Sequence, residues 1–321
     1  MSARRSSLTS RPFPGAALVL AVAAFTAACG GGSNSGGEEG AAAGSTAGST
    51  AGGEAVAEVE ADPELNAMLP ADISDAGTLE VGTEALYPPY EYLDEDGQTI
   101  IGLDPDLLDA ITSRLGVEYT LTNTAFDGLL PALDGDRFDV VAAAVTDTTA
   151  RQQNYDFVDY FLAGQAIVVA AGNPEGIAGV EDLCGQPVSV LISSAQEELL
   201  NRFNQEECAA DPIEITALPT DQDALLQVQS GRAVASFTQE PVGRYNAAQI
   251  AGGNAFEVAN TAPLFPSPLG YVFDKEDTQL RNAWQAALQS LIEDGTYTEI
   301  LESHGLESGA VDEATINAGT Q

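Results

Sequence analysis

Positive charge is scarce in this chain. Of 321 residues only 11 are Lys or Arg, with Lys275 the single lysine and His304 the single histidine. A nucleic-acid surface needs clustered Lys and Arg to neutralise phosphates, so nucleic acid is excluded as a partner. An anionic membrane surface would repel the chain as well. Three cysteines with no CxxC pair, and one histidine, provide no zinc-type ligand set, so neither a metal nor a cofactor is expected. A Ser or Cys nucleophile would need a histidine beside it, and His304 stands next to Gly305 at the end of a helical pattern, where it complements the helix dipole. No Gly-rich phosphate loop opens a helix. Paired carboxylates carry no signal, because 49 Asp and Glu make chance proximity routine, and no catalytic residue is assigned.

Acid and apolar residues are plentiful. The formal net charge is -38, and 44% of residues are hydrophobic. That is enough for a packed core, and the length suits about two domains. So acidic a field favours cations and zwitterions over dianions at long range.

Residues 1–28 read as a signal peptide. Arg4, Arg5 and Arg11 precede an apolar run, Ala16 to Phe25, that ends in small residues before Cys29; the run is too short to span a membrane as a typical helix. Thr26-Ala27-Ala28-Cys29 resembles a bacterial lipobox, which makes Cys29 the lipid anchor; ordinary signal cleavage leaving a stray Cys29, or a twin-arginine signal at Arg4-Arg5, are the alternatives. Removing 1–28 leaves 8 basic against 49 acidic residues. Residues 29–71 form a Gly-, Ser- and Ala-rich linker, of which a 31-residue coil would span roughly 30 Å. With Cys29 assigned, Cys184 and Cys208 remain as an even pair in an oxidising compartment. A disulfide between them would stabilise by roughly 3 to 3.5 kcal/mol; the alternative is two separate buried thiols.

The globular body begins near Asp72. Thr78 to Thr83 alternates like a strand, and the prolines in Tyr87-Pro88-Pro89-Tyr90 force an extended loop. Asp104 reads as the N-cap of a helix with Pro105 at N1, Leu107, Leu108, Ile111 and Leu115 on its apolar face, and Gly116 as its left-handed stop. Val117 to Leu121 reads as a strand, Phe126 to Leu133 as a helix, and Phe138 to Val145 as a strand buried on both faces. A second alternation follows: strands Ala166 to Ala171, Val188 to Leu191 and Ala233 to Phe237, with helices Gln196 to Phe203 and Ala224 to Gln229. Leu280, Trp284, Ala287, Leu288 and Leu291 keep helical spacing, Gly295 breaks the helix, and Tyr297, Ile300 and Leu301 continue a second one. The fold class is α/β, with two lobes. Arg151 lies beyond the carboxyl end of a buried strand, where α/β sheets bind ligands; a salt bridge to a neighbouring acid is its other reading.

Seven blocks in order carry a family resemblance over residues 78 to 306. They are Tyr87-Pro88-Pro89-Tyr90-Glu91, Gly102 to Leu107, Phe126 to Leu133 with Asp139-Val140-Val141, Thr148 to Arg151, Asp156 to Tyr160, Asp182 to Val188, and Glu293 to Tyr297. Together they resemble the extracellular solute-binding proteins of polar amino-acid ABC importers, bacterial solute-binding protein family 3, of the lipoprotein type. The resemblance implies a bilobal periplasmic-binding-protein fold with two hinge strands, crossing near 164–166 and 264–269. Lobe one would comprise 72–164 plus 265–306, lobe two 165–264, and 307–321 a C-terminal tail. Some members also pair cysteines at the positions of Cys184 and Cys208.

The resemblance also implies the site. Arg151 would fork the ligand's carboxylate; Thr146 and the backbone at Ala144 would meet its carboxylate and amino groups; Ser194 would open a lobe-two helix beside it. Phe126 and Tyr90 would flank the ligand, with core packing as the alternative for each, and Glu84 and Tyr87 would meet its side chain. The chain departs from the pattern at Gln239, where the family usually has an Asp for the α-ammonium, and at Ser193, where a glycine is usual. An amine-masked derivative or another carboxylate then becomes a candidate ligand beside an amino acid. The expected function is an anchored extracytoplasmic monomer that delivers a small solute to an ABC permease. A ligand sensor for a membrane receptor, or a dehydratase-like enzyme with Glu84 as general acid, are the alternatives.

Overall fold

The computed structural model describes residues 59–320. The expected signal peptide, Cys29 and most of the linker lie outside the described residues, as does Gln321. The ordered body starts ahead of Asp72. Asp62 caps the short helix α1 (Pro63–Asn66) through its carboxylate, and α2 (Ala71–Ala76) ends on left-handed Gly77. Leu69 is buried in the main core and Leu65 packs against it, so apolar side chains from residues assigned by sequence to the linker help to close it.

Strand β1 (Thr78–Thr83) is followed by a small antiparallel sheet of β2 (Leu86–Tyr87), β3 (Glu91–Leu93) and β4 (Ile100–Ile101). Helix α3 (Leu103–Leu115) starts two residues earlier than expected. Gly102 is its N-cap, at φ 130°, in a spot where a Cβ would collide with the backbone carbonyls of Pro89 and Tyr90. Asp104 is therefore inside the helix and makes no cap; its carboxylate is buried and accepts bonds from distant groups instead. The apolar face is as expected: Leu107, Leu108, Ile111 and Leu115 are fully buried, each worth about 1.5 to 3 kcal/mol over exposure, and Gly116 ends the helix at φ 68°.

Strand β5 (Glu118–Asn123) pairs parallel with β1, and α4 spans Phe126–Leu133. The apolar residues of the 138–145 run are buried, yet only β6 (Val140–Val141) is strand. The reason is Ala144, which sits at φ 44° and turns the chain out of extended geometry. Strand β7 (Tyr155–Ala170) then runs 16 residues without a break.

The second lobe follows β7 with β8 (Pro187–Leu191), α5 (Ala195–Gln205), β9 (Glu214–Leu218), α6 (Asp221–Gln229), β10 (Ala235–Gln239), α7 (Glu240–Gln249) and β11 (Phe256–Val258). Strands β8, β9 and β10 are parallel, and β10 lies antiparallel to the far half of β7. Cys184 and Cys208 are joined in a disulfide that ties the turn before β8 to the turn after α5. Leu183, Val188, Val190, Leu200 and Phe237 centre this lobe's core.

The chain returns on β12 (Leu264–Asp274), antiparallel to the near half of β7 from Gln165 opposite Leu264 to Tyr155 opposite Asp274. At the crossing Gly164 lies so close to Pro263 that no side chain would fit. Helices α8 (Thr278–Asp294) and α9 (Thr296–Ser303) cover lobe one, with Trp284 fully buried edge-on to Tyr271 and Phe273 at 5.2 and 5.8 Å. The tail is sewn down: β13 (Thr315–Ile316) pairs with Val158 and Asp159 of β7, and the Gly319 N–H donates to Asp147 at 2.7 Å. The sheet order is β5-β1-β6-β12-β7-β10-β8-β9, so β7 belongs to both lobes.

Candidate ligand-binding cleft

The expected site residues come from the carboxyl ends of strands in both lobes. Glu84 follows β1, Ala144 and Thr146 follow β6, Ser194 follows β8, and Gln239 ends β10. Strand ends that face one another across two lobes make a cleft between them. It is closed in this structure. Four bonds cross it: Arg151 Nη2 donates to the Ser193 carbonyl at 3.0 Å, Gln239 Nε2 donates to the Ala144 carbonyl at 2.9 Å, the hydroxyls of Tyr87 and Thr238 lie 3.2 Å apart, and the Gln239 N–H donates to the Tyr87 hydroxyl at 3.4 Å.

One end is organised around Arg151, which is only 8% exposed. The chain turns there in a 3-10 segment, Arg151–Gln153, and the second donor, Nη1, reaches the Thr146 carbonyl at 2.8 Å. The guanidinium lies 6.0 Å from the Phe126 ring centroid, within cation–π range. Among the described residues Arg151 pairs with no carboxylate, so the salt-bridge reading does not hold; carbonyls with only partial charge hold a full one. A cavity of about 210 Å³ opens beside it, lined by Phe126, Leu129, Leu130, Val145, Arg151 and Ser193, which suits a solute smaller than a drug-sized ligand. A larger depression of about 470 Å³ lies between α8 and the tail. It is open, and its glutamines Gln285 and Gln289 are already bonded to backbone groups of the tail, so the cleft is the stronger candidate.

Two non-glycine residues hold left-handed geometry at this end. Ala144 is fixed on both sides, its N–H donating to Asp104 at 3.1 Å and its carbonyl accepting from Gln239. Asp104 in turn accepts from the Tyr160 hydroxyl at 2.6 Å; burial raises it to about 6, against the lowering effect of those bonds. Ser193 is at φ 60°, which explains why a glycine would suit that place, and its N–H donates to Glu197 at 2.7 Å. Ser194 caps α5, accepting from the Glu197 N–H at 3.1 Å and donating to the Leu191 carbonyl at 2.6 Å.

The other end is acidic. Glu84 is 2% exposed, and burial, then the Asp221 carboxylate, push it up to about 8. Asp221 is 1% exposed and raised by burial to about 6, with the Thr238 hydroxyl offsetting part of the shift. Glu91 is pushed well above the usual carboxylate range, by burial first and by Asp104 and Glu84 after it. Glu84 Oε1, Asp221 Oδ1, Gln239 Oε1 and the Tyr90 hydroxyl are buried with no protein partner. Tyr90 itself stacks on Tyr87 at 6.1 Å and meets Phe161 edge-on at 5.7 Å, inside the lobe-one core. Glu240, a conceivable stand-in beside Gln239, instead opens α7 and pairs with Arg244.

Sequence reasoning missed Asp221 and Asp104. Asp221 directly follows the α6 N-cap Thr220, a place where an acid is ordinary, so nothing local marked it as a cleft residue.

Two α/β lobes on two shared strands, closed over a cleft, make up a bilobal periplasmic-binding-protein fold. Residues 79–307 match the family of bacterial extracellular solute-binding proteins, family 3, and the chain belongs to it. It is 33% identical over 258 residues to the arginine-binding protein ArgT of Corynebacterium glutamicum, covering 79% of this chain and 83% of that one. It is 27% identical over 230 residues to the histidine-binding periplasmic protein of Escherichia coli K12, covering 70% and 86%. Its fold resembles a mutant of the T. maritima ArgBP at a TM-score of 0.66 and 31% identity, over 73% of this chain and 97% of that one. Family members are extracytoplasmic amino-acid-binding proteins of ABC importers, and among the described residues no helix is long and apolar enough to cross a membrane.

Proposed function

We propose that this chain is a lipid-anchored extracytoplasmic receptor that captures a free amino acid, or a related zwitterion or carboxylate, and hands it to an ABC permease. The observation that carries this reading is the buried Arg151 guanidinium, held by carbonyls from both lobes and bordering a small cavity. A permanent buried cation without a carboxylate partner suits a ligand carboxylate, and guanidinium geometry binds one by two parallel bonds. Thr146 and Ser194 stand on either side of it, Phe126 and Tyr90 flank the ligand, Tyr87 meets its side chain, and the Ala144 carbonyl with Gln239 receives its amino group. Glu84 meets the side chain. The names of the relatives, arginine- and histidine-binding, agree with an amino acid.

In this reading lobe one is 72–164 plus 265–306 and lobe two is 165–264, with the tail 307–321 added to lobe one. The receptor acts as a monomer, and Cys29 carries the lipid. A proton on Glu84 is also what a general acid would hold, but membership in a binding-protein family assigns the cleft to capture.

A thermal-shift screen of the purified chain over free amino acids, N-acetyl derivatives and simple carboxylates tests the ligand class, since a ligand of the folded state raises the apparent melting temperature. Free amino acids are expected to shift it; a response to none of the panel would refute the reading. Mass spectrometry of the membrane fraction is expected to find a lipidated N-terminus at Cys29, and an unmodified, freely released chain would refute the anchor.

A further inference from the structure

We infer that the C-terminal tail positions the anion end of the ligand cleft: Gly319 closes, from behind, the loop that carries Thr146 and Arg151. This rests on the amino-acid reading above and adds three positioning residues to it, Asp147, Gln152 and Gly319.

The loop has two sides. Arg151 points to the cleft, bonded to the carbonyls of Thr146 and Ser193. The residues that follow Thr146 and Arg151 face the tail instead. Gln152 Nε2 donates to Asp147 Oδ1 at 2.8 Å, which closes the neck of the loop. Gly319 turns that single bond into a ring: its N–H donates to Asp147 Oδ2 at 2.7 Å, and its carbonyl accepts from the same Gln152 Nε2 at 2.9 Å. Asp147 is fully buried, and its N–H donates to the Pro268 carbonyl of β12 at 2.9 Å. A Cβ at position 319 would collide with the Asp147 carbonyl oxygen, so this approach admits only glycine.

The path to Gly319 is anchored along its length. Gly309 lies so close to the Phe161 ring that no side chain would fit. The Val311 N–H donates to the Tyr297 hydroxyl at 3.0 Å, and Gln285 and Gln289 hold both polar groups of the Ala314 backbone. Beside β13, the Thr315 hydroxyl and the Ala318 N–H both donate to Asp159 Oδ2, at 3.1 and 3.0 Å. The Asn317 side chain accepts from the Phe157 N–H at 2.8 Å and donates to Asp156 at 2.9 Å. The match to the family ends at residue 307. The ring is therefore completed by a segment beyond the matched residues, laid against a loop within them.

The consequence for binding is preorganisation. An arginine whose backbone is already fixed spares the ligand the cost of ordering it. With the neck open, the same guanidinium would have to be placed at the moment of binding, and affinity would fall without the loss of any ligand contact.

Calorimetry on the full chain tests this, with L-arginine as probe and, where it does not bind, each other standard amino acid in turn. Gly319→Val is expected to push the tail end off Asp147, and Gln152→Ala to open the same ring from the loop side. Each should lower affinity by roughly threefold to tenfold, the range for one ordinary hydrogen bond. The double variant should lose no more than the larger single loss, because both changes break one ring. Hydrogen exchange of the ligand-free chain should quicken over 146–152 in either variant and keep its rate over β8 to β10. Ending the chain after Asn317, which keeps β13 and removes Gly319, should reproduce the lowered affinity and the faster loop exchange. Unaltered affinity in the shortened chain, or single losses that multiply in the double variant, would overturn the positioning role. So would loop exchange that stays at the wild-type rate, or exchange that quickens throughout the protein. A folded wild-type protein that binds no amino acid would refute the amino-acid reading alone, and exchange over 146–152 would still decide whether the tail holds the loop.

Discussion

The two ends of the cleft solve the same problem in opposite ways. At one end Arg151 is buried and keeps its charge, because a guanidinium does not give up its proton; carbonyls of Thr146 and Ser193 stand in as its partners. At the other end Glu84, pushed up by burial to about 8, holds a proton at neutral pH, since a carboxylate can be neutralised in this way, while Asp221 rises only to about 6. The first end is thus always ready for an anion. The second is partly neutralised by the proton on Glu84.

The contrast breaks most completely at Arg151. Arg151→Ala is expected to weaken binding of every carboxylate ligand by roughly a hundredfold or more, the loss typical when one partner of a buried charge pair is truncated. Calorimetry should find this with the circular dichroism unchanged, and an unaltered affinity would show that the carboxylate binds elsewhere.

Gln239→Asp should sharpen the contrast at the amino group. A charged acceptor strengthens a bond by about 1 to 1.5 kcal/mol over a neutral one, so free amino acids should bind about tenfold tighter while N-acetyl derivatives should not. The variant also loses the donation to Ala144, and a flat response for free amino acids would mean that no ammonium group reaches this place.

The smallest effect is expected at Ser193. It contributes to the anion end through its carbonyl, from a left-handed backbone that disfavours any side chain. Ser193→Gly should raise stability by about 0.5 kcal/mol, seen as a rise of roughly 1 to 2 °C in the melting temperature, with affinity held within about twofold. A large loss of affinity would instead assign the Ser193 hydroxyl to the ligand.

Much of this was legible in the sequence, unevenly. Arg151 stood out because cations are rare and because it follows a buried apolar run. Ser194, Gly116 and the α8 face of Trp284 obey local rules of capping and spacing, and local rules can be read from a string. Asp104 could not be, since an acid followed by proline has the pattern of a helix cap; its actual partners, Tyr160 and Ala144, are 56 and 40 positions away. Asp221 was hidden by abundance: one first-turn acid among 49 acids says nothing until the opposite lobe is in place. The run Phe138 to Val145 looked like a long strand because periodicity reports burial, whereas the positive φ of Ala144 is imposed by Asp104 and Gln239 from outside the run.

Strand β12 and the tail strand β13 both flank β7, and that arrangement sets an order of assembly. A chain made from its N-terminus onwards presents β1, β5 and β6 more than a hundred residues before β12 exists to complete their sheet. The elements from β8 to β11 are contiguous and can settle as soon as they appear. Lobe one therefore waits, half built, for β12 and then β13, with Ala314 and Gly319 laid against it after them. The sheet that carries one side of the cleft is thus completed only after every strand of the other lobe has been made.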